Sequence, residues 1–455
     1  MSSPSPTFSR ILSRFDLIAI YVSLIFWPYG AAQMVGKGWD GIPMYILAVI
    51  TFLIPASFIV YELGTLFPEQ GWIYVWIKNT FNKAHWFVVG WLSWLPIIFL
   101  MPLVTTAIVK HIEFLFWLSL SGNILLIAQG VIILLMAWLG MCNLKLWKKV
   151  INFLFIASIL TALIAITIWI LYGTNVNPFT PSQLIPNFSL NGAIYSAAIL
   201  WLLWVEDPFN MTWEVKDVKK AAKTMLTWGN VILAIWYLIG MIGILLLVSA
   251  GSVDPIIWLS AAVWSVSPLL WKFIATCVIL GVLGQWITYF TAYSRLLFVF
   301  GEEKIFWKWI TKQLPNEVPI NSMILQTVLA IIITIIFSVR DIQIVFNLYL
   351  ASLIVIRIFS LYYMYLAVPL ARKKHKALYV ARKNDIWLMP WWNIGMRLTV
   401  SIAIIFNTVA IYYVFLSPRI NGISTFHWRL WIWIISVIVL LSGFVMYWLS
   451  KGKTK

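Results

Sequence analysis

Stretches of roughly 20 consecutive apolar residues, the length that carries a helix across a ~30 Å hydrocarbon core, follow one another along this chain with short polar connections. They predict twelve membrane-spanning helices, over 16–35, 42–66, 86–109, 122–141, 149–172, 192–212, 226–250, 269–298, 320–339, 343–370, 394–417 and 427–450. Helices are required because lipid offers an exposed backbone no hydrogen-bond partner. The longest polar connection, from about Ala371 to Pro390, is too short for a soluble domain, so function is expected within the membrane or at its faces. Two runs are interrupted: Trp27-Pro28-Tyr29-Gly30 breaks the first and Glu206-Asp207-Pro208 the sixth. These breaks hold matching places in two five-span halves, and paired breaks of that kind mark the binding site of transporters. The expected organisation is a tail over 1–15, a first repeat over 16–172, a second over 192–370, a basic loop over 371–393, two further helices within 394–450 and a tail over 451–455.

Composition sharpens the class. The chain is 62% hydrophobic and 10% charged, where a soluble protein carries about 25% charged residues. Its formal net charge of +17 raises the question of nucleic acid, which the placement of the charges answers. With the N-terminus cytoplasmic, that face collects 24 of the 32 lysines and arginines, among them Arg10, Arg14, Lys145, Lys148, Lys149, Lys216, Lys219, Lys220, Lys223 and the cluster from Arg372 to Lys383. This is the positive-inside asymmetry, and an even number of spans puts both termini inside. A nucleic-acid surface would gather its charge on one face instead, so the expected partners are membrane lipids and a small solute. The first apolar run is too long for a cleaved signal peptide. Short loops favour a bacterial inner membrane. Cys142 and Cys277 read as small buried residues, too few for a disulfide framework or a metal cluster. Tryptophans near span ends, such as Trp39, Trp72, Trp387, Trp391 and Trp392, suit the aromatic belt at the headgroups.

Ionisable groups at depth cost roughly 2.5 to 3.5 kcal/mol each at a helix centre on insertion scales, and few are present. Glu206 and Asp207 lie at the second break, Glu62 toward the end of span two and Arg357 near the middle of span ten, while Lys110 and Lys272 lie near span ends, where they can snorkel. Arg357 and Glu206 are the deepest pair of opposite sign. They either neutralise one another and pin two helices, or form a gate that contacts a zwitterionic substrate. Pro28 removes a helix hydrogen bond and Gly30 relaxes the next turn, as Pro208 does in span six. Half-helix ends then offer N–H groups to a carboxylate and carbonyls to an ammonium or cation. The alternative at each break is an ordinary proline kink, which is the reading for Pro55, Pro96 and Pro102.

The segment from Tyr61-Glu62-Leu63-Gly64 through Phe67-Pro68-Glu69-Gln70-Gly71 to Tyr74-Val75-Trp76 resembles the end of span two in amino acid permeases. Gly90-Trp91, Glu206 followed by Glu214 to Lys220, Leu280 to Trp286 with Ser294-Arg295, and Pro319-Ile320 resemble spans three, six, eight and nine of the same group. The resemblance runs along nearly the whole chain and points to the amino acid-polyamine-organocation superfamily, in pattern nearest its bacterial glutamate/GABA antiporter branch. It implies an all-α membrane fold of twelve helices with a five-plus-five inverted repeat, discontinuous helices one and six, and alternating access. It also implies that Trp27, Pro28, Tyr29, Gly30, Glu206, Asp207, Trp286 and Arg357 surround the substrate; Glu206, Trp286 and Arg357 are expected to close over it as the gate. The departures are Trp27-Pro28-Tyr29-Gly30 in place of a Gly-x-Gly break, Trp204 for a glycine, and Arg357 for a tyrosine. Family members without a sodium site often carry a lysine on span five, which makes Lys149 or Lys148 a candidate for coupling, and Glu62 or Glu206 is a candidate proton relay; the alternatives are a loop anchor for the lysines and a structural role for Glu62.

These features predict a secondary transporter of amino acids or related amines, working by exchange or proton symport and needing no cofactor. An enzyme is disfavoured: His85, His111, His375 and His427 are scattered, no His-Glu-x-x-His metal motif is present, and neither is a Gly-x-Ser-x-Gly nucleophile motif. A nutrient sensor that binds without flux is the remaining alternative.

Overall fold

The computed structural model describes residues 12–68, 72–141, 144–174, 176–209, 215–250, 256–264, 266–267, 269–338, 342–382, 386–416, 418 and 423–451. These form α1 (Arg14–Ile25), α2 (Pro28–Val35), α3 (Gly41–Ala48), α4 (Ile54–Leu66), α5 (Trp72–Thr80), α6 (Lys83–Phe116), α7 (Gly122–Gly140), α8 (Leu144–Tyr172), α9 (Phe188–Leu202), α10 (Val218–Thr224), α11 (Asn230–Leu247), α12 (Trp258–Trp264), α13 (Leu270–Glu302), α14 (Ile320–Ser338), α15 (Ile342–Lys374), α16 (Lys376–Ala381), α17 (Trp392–Leu416) and α18 (Thr425–Lys451). Among the described residues nine helices are long and apolar enough to cross a membrane, or ten if the bent pair α1–α2 is one span. The fifth and ninth predicted spans fall on α8 and α14, which are helical as well. The protein is a polytopic membrane protein. Its lipid-facing side shows in α7, α17 and α18, where Ile124, Ile127, Trp138, Ile405, Ile438 and Trp448 are exposed. In water such a surface would be a liability.

Both predicted breaks occur, with different geometry. In the first span Phe26 and Trp27 are extended (φ −77°, ψ 116° and φ −121°, ψ 118°) and Pro28 opens α2. A residue before proline is pushed out of the α region, and proline at the first helical position loses an N–H that was unpaired anyway. The chain bends by 47° there. In the sixth span α9 ends at Leu202, before the acids, and residues 203–209 continue as tight turns. Asp207 N bonds Trp204 O (3.3 Å) and Phe209 N bonds Glu206 O (3.1 Å), three residues back in each case. The unwinding therefore begins about four residues earlier than Pro208 alone would require.

Predicted spans two and seven carry a further irregularity absent from the sequence reading. A π turn over Val49–Leu53 joins α3 to α4, and another over Met225–Gly229 joins α10 to α11. In the first case Pro55 lies just beyond, and the wider turn absorbs the hydrogen bond that Pro55 cannot donate. In the second, Gly229 lets the Tyr21 ring approach so closely that an added Cβ would lie 2.4 Å from it. Pro96 and Pro102 sit inside the unbroken α6, as ordinary kinks do.

The packing that matters for the centre is of α13 against α6, α8 and α1, of α15 against α6, α5, α17 and α18, and of α9 against α2, α3 and α17. At one end the segment after α15 is tied down. Arg372 grips Glu62 with both arms (Nε to Oε1 2.7 Å, Nη2 to Oε2 2.6 Å), and Glu62 also accepts from the Tyr379 hydroxyl (3.0 Å) and Met389 N (3.2 Å). Arg372 stacks on Trp392 at 4.1 Å, and Arg382 donates to Leu66 O (2.9 Å). Burial and the neighbouring Glu62 push the Tyr379 phenol above its ordinary range, so it remains the donor. At the start of α1, Asp16 closes a capping box with Ser13 and receives Lys148 (2.7 Å) and Asn152 (2.6 Å) from α8. Just before it, Leu12 pairs with Val215 in an isolated parallel bridge.

Glu62→Gln is expected to lower the unfolding temperature of the detergent-purified protein markedly. Removing one partner of a buried pair leaves the other charge uncompensated, at about 3–5 kcal/mol. Lys78→Ala, which breaks the half-exposed pair with Glu303, is expected to cost under about 1 kcal/mol. Equal shifts in the two variants would show that the Glu62 pair does not hold the segment.

Candidate functional site

The centre is assembled from the unwound part of span six and from α15, α6 and α13. Arg357 lies midway along α15 with no solvent exposure. Its Nη2 donates to Glu206 Oε1 (2.5 Å) and Asp207 Oδ1 (3.1 Å), and its Nη1 to Ser93 Oγ of α6 (2.8 Å) and Ser360 Oγ (3.5 Å). The guanidinium rests 4.6 Å from the Trp204 ring, a distance at which the ring's quadrupole attracts a cation. Asp207 accepts the Tyr293 hydroxyl at 3.0 Å on both carboxylate oxygens. Glu206 and Asp207 are as fully buried as Arg357. Glu206 Oε2 is buried without a hydrogen-bond partner, as is Trp286 Nε1. Ion pairs taken out of water survive only when their remaining donors and acceptors are met, so an unmet carboxylate oxygen stands out.

The break in span one lies on the other side of an aromatic wall. Trp27 packs edge-on to Trp286 (centroids 5.9 Å) and tilted on Trp201 (5.7 Å), and Trp286 contacts Tyr289 (5.1 Å). Tyr289 contacts both Trp204 (5.7 Å) and Tyr293 (6.0 Å), which connects the wall to the charged cluster. Tyr29 meets Trp201 edge-on (5.4 Å), and Gln33 links the two by accepting from Trp201 (3.1 Å) and donating to Tyr29 (2.9 Å). Gly30 lies under Trp201, where an added Cβ would stand 2.7 Å from the indole.

The backbone groups freed by this break are largely taken by side chains, contrary to the expectation that they would be left for a solute. Leu24 O accepts from Gln285 (2.9 Å) and Tyr289 (2.7 Å). Ile25 O accepts from the Tyr237 hydroxyl (2.8 Å), which in turn accepts from Trp27 N (3.0 Å). Gly30 N bonds Trp27 O (2.9 Å). These contacts satisfy groups that lipid could not.

Of the residues singled out in the sequence, Glu206, Asp207 and Arg357 come together as one cluster, Trp27 meets Trp286, and Tyr29 and Gly30 meet Trp201. Pro28 opens α2 between them. Glu62 lies apart, held by Arg372. Lys149 is exposed, and its neighbour Lys148 is the one that pairs, with Asp16. Cys277 is buried in α13, and Cys142 and Glu214 lie outside the described residues. Sequence reading missed Ser93, Trp201, Tyr237, Gln285, Tyr289 and Tyr293. A signal existed for three of them: Gln285, Tyr289 and Tyr293 recur every fourth residue, which places them on one helix face. Among the described residues no three His, Cys, Asp or Glu side chains are grouped as a metal site would need.

Comparison with known proteins agrees with this architecture. The chain is 24% identical over 260 residues to an uncharacterized transporter of Legionella pneumophila subsp. pneumophila, covering 54% of this chain and 55% of that protein. It is 21% identical over 236 residues to a protein of Lactococcus lactis subsp. lactis named a probable agmatine/putrescine antiporter, covering 51% of each. A polyamine transporter of Oryza sativa subsp. japonica is 33% identical over 100 residues, 20% of this chain and 18% of that protein. The chain thus spans about half the length, or less, of these curated relatives. A family model described as amino acid permease matches residues 12–441, and the chain belongs to that amino acid permease family.

Proposed function

We propose that this protein is a secondary active transporter that carries amino acids or closely related amines across a bacterial inner membrane by alternating access, as an exchanger or a proton-coupled symporter, with both termini cytoplasmic. The observation that carries this reading is the fully buried cluster of Glu206, Asp207 and Arg357 at the unwound part of span six. Charges at such depth are costly and mark solute or ion pathways, and a broken span is where a transporter binds its solute. The family membership and the transporter relatives support the same reading. In it, Trp27, Pro28, Tyr29 and Gly30 form one wall of the solute chamber, Glu206 and Asp207 the opposite one, and Trp286 lies between. Arg357 holds the acids in the empty state and releases them in part as the solute enters. Rocking of one helix group against the other then exposes the chamber to the opposite face.

Three variants test this in proteoliposomes by counterflow of labelled amino acids and amines. Arg357→Ala is expected to insert normally and to lose flux at least about tenfold, since an uncompensated buried charge costs several kcal/mol. Arg357→Lys keeps the charge without the planar fork and is expected to retain only part of it. Normal flux and selectivity in both would remove Arg357 from the transport path. Gly30→Leu drives a side chain into Trp201 and is expected to weaken solute binding about tenfold; unchanged affinity would place the solute elsewhere. Binding without flux in the unaltered protein would indicate a sensor.

A further inference from the structure

We infer that the chamber selects organic cations that lack a carboxylate, amines or guanidines, over the corresponding zwitterionic amino acids; the inference rests on the transport reading and narrows its solute class. Three observations carry it, the first being the count of charge. The cluster holds two carboxylates and one guanidinium, all without solvent exposure; with both acids ionised, one negative charge lacks a cation. Tyr293 and Ser93 bring hydroxyls to it but no charge. In a medium of low dielectric an unbalanced charge is far costlier than in water, and a monovalent cation placed beside it restores neutrality.

The second observation is where that cation would sit. Glu206 Oε2 is buried and unpartnered, an acceptor whose unmet hydrogen bond costs at least about 1–3 kcal/mol. An ammonium or guanidinium can donate to it. The same wall supplies the faces of Trp204, Tyr289 and Trp286 in continuous contact, and aromatic faces attract desolvated cations.

The third is the lack, among the described residues, of a spare positive charge for a carboxylate: Arg357 is already shared by two acids, and the unmet Nε1 of Trp286 offers only a neutral N–H. Both terminal nitrogens of Arg357 are engaged by acids and serines. At the start of α2, Pro28 has no N–H, Trp27 N is given to Tyr237 and Gly30 N to Trp27 O, so fewer amides remain to cradle an anion there than at an ordinary helix N-terminus. Among the described residues the other buried guanidiniums are engaged elsewhere. Arg295 lies two residues beyond Tyr293 on α13, about 200° round the helix at ~100° per residue, and donates to Thr291 O. Arg372 lies fifteen residues beyond Arg357 on α15, roughly 22 Å at ~1.5 Å per residue, and is clasped by Glu62. A zwitterion would satisfy the acid with its ammonium and bury its carboxylate unpaired, and that asymmetry sets the preference.

The experiment uses pairs of solutes that differ only in the carboxylate: phenylalanine and phenethylamine, tyrosine and tyramine, histidine and histamine. The full-length protein in detergent is screened by thermal shift with each member, and the same protein in proteoliposomes is assayed for uptake. Tighter binding and faster uptake of the amine, by at least about tenfold in each pair, is the expected result. Glu206→Gln, which leaves Asp207 to balance Arg357, is expected to cancel that preference in the binding assay. Preferential uptake of the amino acids would overturn the inference while leaving the transport reading intact. An amine preference in binding without uptake of either member would uphold the inference and overturn transport. No binding and no uptake of any member by monodisperse protein would overturn both.

Discussion

The buried contact between Arg357 and the two acids of span six is the constraint around which the interior is organised. A guanidinium and two carboxylates cannot be left in a low-dielectric interior separately, since the effective penalty is several kcal/mol per ion. Satisfying them requires α15, the unwound residues after α9, the Ser93 turn of α6 and the Tyr293 face of α13 to meet at one point. Helix packing alone would tolerate sliding of one apolar rod along another; a bonded charge cluster of four elements does not. It also gives the centre a single discrete arrangement.

The break in span one is stabilised differently. Its cause is local: Pro28 cannot continue the helix from Ile25, and the residues before it are driven into extended geometry. Its persistence is tertiary, because the exposed carbonyls of Leu24 and Ile25 are met by Gln285, Tyr289 and Tyr237 from α13 and α11. A break met by side chains is a rigid wall, whereas one left open would be an ion or anion cradle. That distinction moves the chemistry of the centre from backbone dipoles toward the acids and the aromatic faces.

At the ends of the helices the polar chemistry serves attachment. Glu62 carries four hydrogen bonds from Arg372, Tyr379 and Met389, which dock the chain between α15 and α17 onto the end of α4. Asp16 does the same for α1 and α8 through Lys148 and Asn152. An acid within a span is thus not by itself evidence of a solute path. The difference between Glu62 and Glu206 lies in how completely each is met: both Glu62 oxygens are bonded, while one oxygen of Glu206 is not.

Much of this was legible in the sequence. Apolar run length and the lack of hydrogen-bonding solvent impose membrane helices, and the prolines at 28 and 208 announce both interruptions, because these effects act over a few residues. The depth of Glu206, Asp207 and Arg357 also follows from their position within apolar runs. What sequence alone left open was whether Arg357 pairs with Glu206, and it did not suggest that Asp207 shares it, that Tyr293 and Ser93 complete the cluster, or that the first break is met by side chains. Those partners lie 86 to 265 residues apart in the chain, and no local pattern encodes the rotation of one helix about its axis relative to another. Only packing decides which polar face of α13 turns toward span one and which end of Glu206 is left without a partner, since the cost of a buried unmet group is settled by all neighbouring helices together.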